Sequence, residues 1–284
     1  PQKFPANAPY EPYDDASWAL SVHYGVEVKR IDDESIKEVP LEPLPEMYKP
    51  VGRVRGVGPA FLLKDTGQEA LLAARFHLVQ FKVEIAERSF KVGDDEYPAG
   101  SWILPAQPGL QSVLEEVAEE LALDFKSANS EPDVPRHEAL VPRLAVWHTW
   151  ADTEAVGWIR YTLDQQKIPY TYIRDEEIRA GNLRESFDVI IFGENYLDLR
   201  RQIHGIDPKF GPMPYTRTPE FSSHGVPDAS EDITGGIGWS GMMNLQRFLD
   251  EGGVLITLGN GSALALEGGL VRNVRRQRKD QVYT

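Results

Sequence analysis

The chain has six histidines and no cysteine, which limits the chemistry it can perform. Without cysteine it has no thiolate nucleophile, no thiolate ligand for a metal and no disulfide. A nucleophilic hydrolase would instead need a serine, for which the best candidate is Ser262 in a Gly-Asn-Gly-Ser turn. His224 would act as its base, and Asp228 would orient that histidine. Nothing in the spacing requires this triad, so a structural role for the turn stays open.

His148 is the histidine best placed to contact a ligand. It follows a short apolar run, Leu144–Trp147, and lies between Trp147 and Trp150. If the run is a strand of a parallel sheet, His148 lies at its carboxyl end, where such sheets bind ligands. Aromatic side chains that merely close the end of the sheet are the structural alternative.

A second ligand-binding candidate is the glycine-rich turn that follows the apolar run Val254–Leu258. Backbone N–H groups of such a turn can bind an anion where a helix begins. Many turns between a strand and a helix need small residues for packing alone, so this signal has a structural explanation as well. The turn consists of Gly259, Asn260, Gly261 and Ser262.

The second half of the chain alternates apolar runs with helical periodicity. Helical spacing of apolar residues covers Thr153–Lys167 and Gly241–Asp250, with Asp152 or Thr153 as a candidate cap for the first helix. Alternation of this kind predicts a parallel sheet covered on both faces. Residues 193–240 show no strong periodicity, and loops of that length are usually functional or mobile. The predicted strands are Leu144–Trp147, Tyr170–Ile173, Phe187–Phe192 and Val254–Leu258.

The first half predicts a smaller mixed α/β domain, residues 1–126. Residues 127–142 are polar and contain Pro132, Pro135 and Pro142, which favours a linker before the domain of residues 143–284. Further elements are expected at helices Ala16–His23, Gln68–Val79 and Gln111–Leu123, strands Ala60–Leu63, Phe81–Ala86 and Ser101–Leu104, and a hairpin over Ser89–Tyr97.

Charge and hydropathy exclude some partners. The net charge of −14 argues against nucleic acid as a general partner. No apolar run approaches the length of a membrane span. A basic segment at 271–279 could contact phosphates or lipid headgroups, or could be a solvated tail. Its basic residues are Arg272, Arg275, Arg276, Arg278 and Lys279.

Short motifs have an order and spacing that are typical of one family. They are Asp15–Leu20, Gly25–Val28, Tyr97–Leu104, Phe187–Ile191, Gly235–Gly238, Leu245–Leu249 and Glu251–Ile256. Over nearly its whole length the chain resembles the C-terminal, non-catalytic region of bacterial zinc carboxypeptidase-like proteins of the M14 peptidase family. The resemblance implies a class I glutamine-amidotransferase-like domain with a flavodoxin-like fold, preceded by a smaller domain.

The family's zinc site is not present in this sequence. M14 peptidases need a His-x-x-Glu pair and a distant histidine, so that these side chains reach one metal and water fills its open position. The chain contains no His-x-x-Glu; His23 and Glu27 are four residues apart, and His137 and Glu138 are adjacent. We therefore expect no metal and no other cofactor in this chain, with zinc confined to the family's catalytic domain. The resemblance implies that this domain precedes Pro1 and that the family continues past Thr284.

The amidotransferase nucleophile is missing as well. These enzymes use a cysteine on a tight turn from strand to helix, and the matching position here falls near Gly259 or Gly261. The resemblance therefore implies a periplasmic or secreted accessory region that scaffolds, or presents substrate to, the peptidase domain of the same polypeptide. Two other functions stay open: a module that binds a small polar ligand such as a sugar or peptide, and the serine hydrolase.

Overall fold

The computed structural model describes residues 28–43 and 50–274. These residues form two compact units, and the boundary between the units lies between Val141 and Pro142. Each unit has its own sheet and its own apolar core. The predicted helix Ala16–His23 lies outside the described residues.

The first unit contains a six-stranded mixed sheet. Its strands run in the order β1-β7-β2-β6-β3-β8, with β1 parallel to β7 and the other pairs antiparallel. The elements are β1 Arg53–Arg55, β2 Ala60–Leu63, α1 Ala70–His77, β3 Glu84–Ala86, the hairpin β4 Phe90–Val92 and β5 Asp95–Tyr97, β6 Trp102–Pro105, α2 Leu110–Leu121, β7 Asp124–Ala128 and β8 Arg136–Glu138, after a 3-10 turn at Glu34–Glu38.

Both faces of this sheet are covered. Successive side chains of a strand point to opposite faces, so Phe61 packs with α1 and α2 while Leu62 packs with the β4–β5 hairpin. Phe125 and Leu114 complete the helical side, and both are fully buried. Burial of each such side chain stabilises the fold by about 2 kcal/mol, which explains why β2 is apolar throughout.

Residues 127–141 of the predicted linker 127–142 instead contribute to the first unit. β7 extends to Ala128, and β8 pairs with β3 at the edge of the sheet. The buried Arg75 side chain then donates to the carbonyl oxygen of Ala139 at 2.7 Å. Prolines 132 and 135 precede β8 and Pro142 follows it, so they bracket an edge strand, a position that tolerates them.

The second unit contains a four-stranded sheet in which every pair of neighbours is parallel. The strands run in the order β10-β9-β11-β12. The elements are β9 Leu144–Trp147, α3 Val156–Gln165, β10 Thr171–Ile173, α4 Asp175–Ala180, α5 Leu183–Ser186, β11 Val189–Phe192, α6 Leu199–His204, α7 Gly238–Asp250, β12 Val254–Thr257 and α8 Ser262–Leu266, with 3-10 turns at Pro208–Phe210 and Gly259–Gly261.

The core of the second unit lies on one face of this sheet. Trp147 of β9 and Phe192 of β11 are register partners, and their rings stack with centroids 4.0 Å apart. Ile190, Leu245 and Phe248 pack in the same cluster, which joins the sheet to α7. The apolar stripe of α7 therefore faces the sheet, as its helical spacing predicts.

The opposite face is only partly covered, which differs from the prediction of a sheet covered on both faces. α3 packs against β9 there. At the far side of the sheet Val254, Ile256 and Leu258 remain 50%, 40% and 42% exposed. Leu255 points to the other face and packs in the core. Among the described residues, no helix packs over the outer face of β12.

α3 also begins later than predicted. Its N-cap is Ala155, and no side chain caps it. The carboxylate of Asp152, predicted as a cap, instead accepts from the backbone N–H of Glu154 ahead of the helix at 3.3 Å and from that of Tyr196 at 2.7 Å. Asp152 therefore joins the loop after β9 to the loop after β11, and both loops lie where parallel strands end.

Candidate functional site

The four parallel strands end at one edge of the sheet, which we call the carboxyl edge. The chain leaves β9 towards β10 on one side, and it leaves β11 towards β12 on the other. Neighbouring strands whose connections diverge in this way leave a crevice between them, where open α/β sheets bind ligands. His148 follows β9 at this point, and Gly193 follows β11.

Asp175 is a buried carboxyl group at the first residue of α4. Its Oδ1 accepts from Trp147 Nε1 at 3.0 Å, and its Oδ2 accepts from Thr149 Oγ1 at 3.0 Å and from the backbone N–H of Trp150 at 3.4 Å. Burial raises the pKa of Asp175 to about 6, although these hydrogen bonds oppose the rise. Trp147 is fully buried, so it positions Asp175 and the core rather than facing a ligand.

His148 follows Trp147 directly and is buried, with 3% of its surface exposed. Its ring stacks on Tyr172 with centroids 4.5 Å apart and meets Trp150 edge-on at 4.8 Å. Nε2 lies 3.5 Å from Asp228 Oδ2, whereas Nδ1 has no hydrogen-bond partner among the described residues. Burial lowers the pKa of His148, and the Asp228 carboxylate opposes this effect. Burial of the ring therefore favours the neutral imidazole.

Arg174 connects the carboxyl edge to the long loop between β11 and α7. Its guanidinium lies 3.4 Å from Asp228 Oδ1, and it donates to the carbonyl oxygen of Ala229 and to the Glu177 carboxylate. One carboxylate of the loop, Asp228, therefore contacts both His148 and Arg174.

Glu176 provides a second connection to the same loop. Its carboxylate accepts from Trp150 Nε1 at 3.0 Å and from Ser230 Oγ at 2.6 Å. Trp150 in turn contacts the Tyr215 ring, with centroids 5.5 Å apart. Since a half-buried carboxylate with two donors holds its neighbours in place, Glu176 orients Trp150 at the rim of the crevice.

His224 belongs to an aromatic stack that extends outwards from the carboxyl edge. Its ring stacks on Tyr215 at 4.6 Å and on Phe221 at 4.8 Å. The loop beyond the stack surrounds a cleft of about 710 Å³, which is lined by Met213, Phe221 and His224 among others.

The glycine-rich turn after β12 is closed by hydrogen bonds. The backbone N–H of Asn260 donates to Glu194 Oε2 at 3.0 Å, and Asn260 Nδ2 donates to the carbonyl oxygen of Leu197. Gly259 has φ +52°, and a side chain there would overlap the Glu194 carboxylate. A side chain at Gly261 would meet the carbonyl oxygen of Gly193. Close packing therefore explains why both of these positions are glycine.

Buried amide side chains form hydrogen bonds next to this turn. Gln202 Nε2 donates to Asn195 Oδ1 and to the carbonyl oxygen of Asn260, both at 3.0 Å. Gln202 and Asn195 are almost fully buried. These hydrogen bonds join the loop after β11, α6 and the glycine turn into one layer, in which Gln202 Oε1 has no partner among the described residues.

The structure brings some of the predicted site residues together and separates others. His148, Trp150 and Asp228 lie within one cluster. Ser262 Oγ instead lies 3.3 Å from the Thr257 carbonyl oxygen, and within the described ranges it makes no hydrogen bond to His224. Asp228 contacts His148 rather than His224. In this arrangement the histidine expected to act as a base has neither of its proposed partners.

Arg174, Asp175 and Glu176 were not identified from the sequence. Their signal was the charged run that follows the strand Tyr170–Ile173 directly, at the edge where His148 was expected. Among the residues described, no group of three His, Asp or Glu side chains is arranged to hold a metal ion. Within the same ranges, no helix is both long and apolar enough to cross a bilayer.

The cluster therefore brings together aromatic rings, a buried imidazole and a carboxylate paired with a guanidinium. In comparisons with protein-family models, curated proteins and solved structures, none of them matched this chain.

Proposed function

We propose that this chain is a non-catalytic accessory region of a bacterial, periplasmic or secreted, zinc carboxypeptidase-like protein of the M14 peptidase family. In this proposal it scaffolds, or presents substrate to, a peptidase domain of the same polypeptide. The observation that carries the proposal is the closed turn after β12. Glu194 lies against Gly259, and Ser262 is directed at its own strand, so the turn offers no free nucleophile.

The strand order supports the flavodoxin-like part of the proposal. Numbered within the second unit, the parallel strands run 2-1-3-4, which is the order of the flavodoxin-like sheet up to its fourth strand. The crossover helices α3 and α7 follow the first and third of these strands. Four strands are common to several doubly wound folds, so the order supports the fold and leaves the activity to other observations.

The positions of the family motifs also support the proposal. Phe187–Ile191 leads into β11, and Glu251–Ile256 forms the turn into β12. Gly235–Gly238 precedes α7, and a side chain at Gly236 would lie 2.5 Å from the backbone nitrogen of Gly205. These three motifs therefore have a structural role in the sheet or its close packing, as expected for a region that keeps the fold without the chemistry, whereas Asp15–Leu20 and most of Gly25–Val28 lie outside the described residues.

The proposal is tested on the intact polypeptide. The sequence encoded ahead of Pro1 should contain a His-x-x-Glu pair and a distant histidine. Removal of residues 28–274 should lower peptide turnover and leave bound zinc unchanged, because the metal ligands lie elsewhere. An upstream sequence without such a motif, or turnover that is unaffected by the removal, contradicts the proposal.

A second function, binding of a small polar ligand such as a sugar or peptide, is favoured by one observation. The buried His148 Nδ1 has no partner among the described residues, at an edge lined by Trp150 and Tyr172. A thermal-shift screen with sugars and peptides tests it, and Trp150→Ala should abolish any shift. A serine hydrolase is tested separately, since labelling of Ser262 by a fluorophosphonate would establish a reactive serine.

A further inference from the structure

A cleft of about 550 Å³ lies beside α6, away from the His148 cluster. Its volume falls within the range of small-molecule sites. We call it the basic cleft. Its polar wall is formed by Arg200, Arg201 and His204, and its apolar wall by Ile206, Pro208 and Phe210.

The guanidinium charges of the two arginines in the basic cleft are available to a ligand. In the same unit Arg143, Arg174 and Arg184 each contact a carboxylate. Arg200 and Arg201 are exposed, and neither forms an ion pair within the ranges that the structure describes. Two guanidinium groups directed at one cleft, in a chain with a net charge of −14, favour an anionic ligand there.

The single carboxylate that lines the cleft is already engaged. Asp207 accepts from the backbone N–H of Lys209 at 2.9 Å, and its other oxygen lies 3.2 Å from Lys209 Nζ. The hydrogen bond from Lys209 is the main reason why the pKa of Asp207 is lowered, and the charge of Arg200 makes a smaller contribution. Asp207 therefore stays ionised and neutralises Lys209, which leaves the Arg200 and Arg201 charges for a ligand.

The walls of the cleft are held in place by the surrounding structure. The Asp198 carboxylate caps α6 by accepting from the backbone N–H of Arg201 at 2.8 Å. At the other end of α6, Gly205 is in close contact with Gly236, and the His204 ring packs edge-on against Trp239 at 5.9 Å. A helix anchored at both ends loses little backbone order when a ligand binds, so the ordering cost falls mainly on the side chains.

We propose that the basic cleft binds a small carboxylate that carries an apolar group. A guanidinium can bind both oxygens of a planar carboxylate, which the flat fork of Arg200 or Arg201 matches better than a single ammonium would. The exposed ring of Phe210, with Ile206 and Pro208, offers an apolar surface for the rest of the ligand. This inference does not depend on the accessory role proposed above.

The test uses isothermal titration of the full chain with N-acetylphenylalanine and with its amide. The acid should bind about tenfold more tightly than the amide, because charge-assisted hydrogen bonds to the carboxylate are lost in the amide. A tetrapeptide that ends in phenylalanine, with a free or an amidated C-terminus, distinguishes a peptide end from a free small carboxylate. Inorganic phosphate serves as the competing anion.

The variant Arg200→Gln/Arg201→Gln should weaken binding of the acid by about tenfold or more, with an unchanged unfolding midpoint. Arg272→Gln, an exposed arginine elsewhere in the same unit, is the matched control and should bind like the original chain. The inference is overturned if the acid does not bind at millimolar concentration, or if acid and amide bind equally. It is also overturned if the double variant binds as well as the control, or if phosphate binds more tightly than the acid.

Discussion

The carboxylate of Glu194 occupies the space into which a side chain at residue 259 would project, and it accepts a hydrogen bond from the next backbone N–H, that of Asn260. This relationship gives Gly259 two reasons to be glycine, the positive φ and the neighbouring carboxylate. It also explains why a tight turn between strand and helix persists without a nucleophile.

Gly259→Ala should lower the free energy of unfolding by about 1–2 kcal/mol, because alanine at positive φ is strained and displaces Glu194. Glu194→Ala should be destabilising too, since the N–H of Asn260 loses its acceptor. The double variant should lose less stability than the sum of the two single losses. Removal of the Glu194 side chain relieves its overlap with the alanine introduced at position 259. Urea unfolding of the four proteins measures this coupling, and strictly additive losses would show that the two residues are independent.

Asp175 should produce a distinctive pH dependence of stability. Its pKa is raised from 3.8 to about 6, so the folded state holds this proton more tightly than the unfolded state. The free energy of unfolding therefore falls as pH rises from about 4 to about 6, by roughly 3 kcal/mol in total. Asp175→Asn should lack this slope in urea titrations, and the exposed control Glu154→Gln should retain it. Parallel curves for Asp175→Asn and the original chain would contradict the assignment.

His148 should show the opposite dependence. Burial lowers its pKa below 6.5, so the unfolded state takes up this proton first and stability decreases as pH falls below about 6.5. The charged groups that act on it are Asp228, Glu176 and Arg174. Side-chain NMR should show His148 titrating below 6.5, and Asp228→Asn should move its pKa lower still. A pKa above 6.5, or one that is insensitive to Asp228→Asn, would contradict this account.

Asp188 joins the start of β11 to two arginines. The Arg143 guanidinium and its backbone N–H, together with Arg184, hold the pKa of Asp188 well below its usual range. The contribution of the Asp188 carboxylate to the free energy of unfolding is fully present above pH 3.8. It is lost as the pH falls through the lowered pKa of Asp188. Because the pair is partly solvated, Asp188→Asn should cost about 1 kcal/mol at pH 7.

Asp124→Asn is the matched control for Asp188→Asn. Its carboxylate lies 3.5 Å from Arg55, and both side chains are more than 60% exposed. Its effect on the free energy of unfolding should be close to zero. Equal losses in the two variants would mean that the Asp188 contacts add nothing beyond surface charge.

Periodicity predicted the central strands from the sequence because each is apolar and bounded by turn residues. Leu144–Trp147 and Ala60–Leu63 have the predicted bounds. β8 was missed because its residues, Arg136–Glu138, are polar and lie on an edge, where burial leaves no pattern. α6 was missed because its six residues are too few to establish helical spacing.

For the candidate site, local sequence predicted the position of His148 but not its partners. His148 follows an apolar strand, and this alone places it at the carboxyl edge. Asp228 reaches His148 across 80 residues of sequence, and Asp175 reaches the neighbouring Trp147 across 28. Contacts over such separations depend on strand order and on the path of a long loop, and neither can be predicted from local spacing.

The most direct test of the central claim is peptide turnover by the purified chain. Zinc is added, and the release of C-terminal amino acids from peptides with a free carboxyl end is followed over hours. The account predicts no release above the blank without protein. Steady release that a metal chelator abolishes, and that returns with added zinc, would show that the chain carries its own metallopeptidase site and would contradict the account.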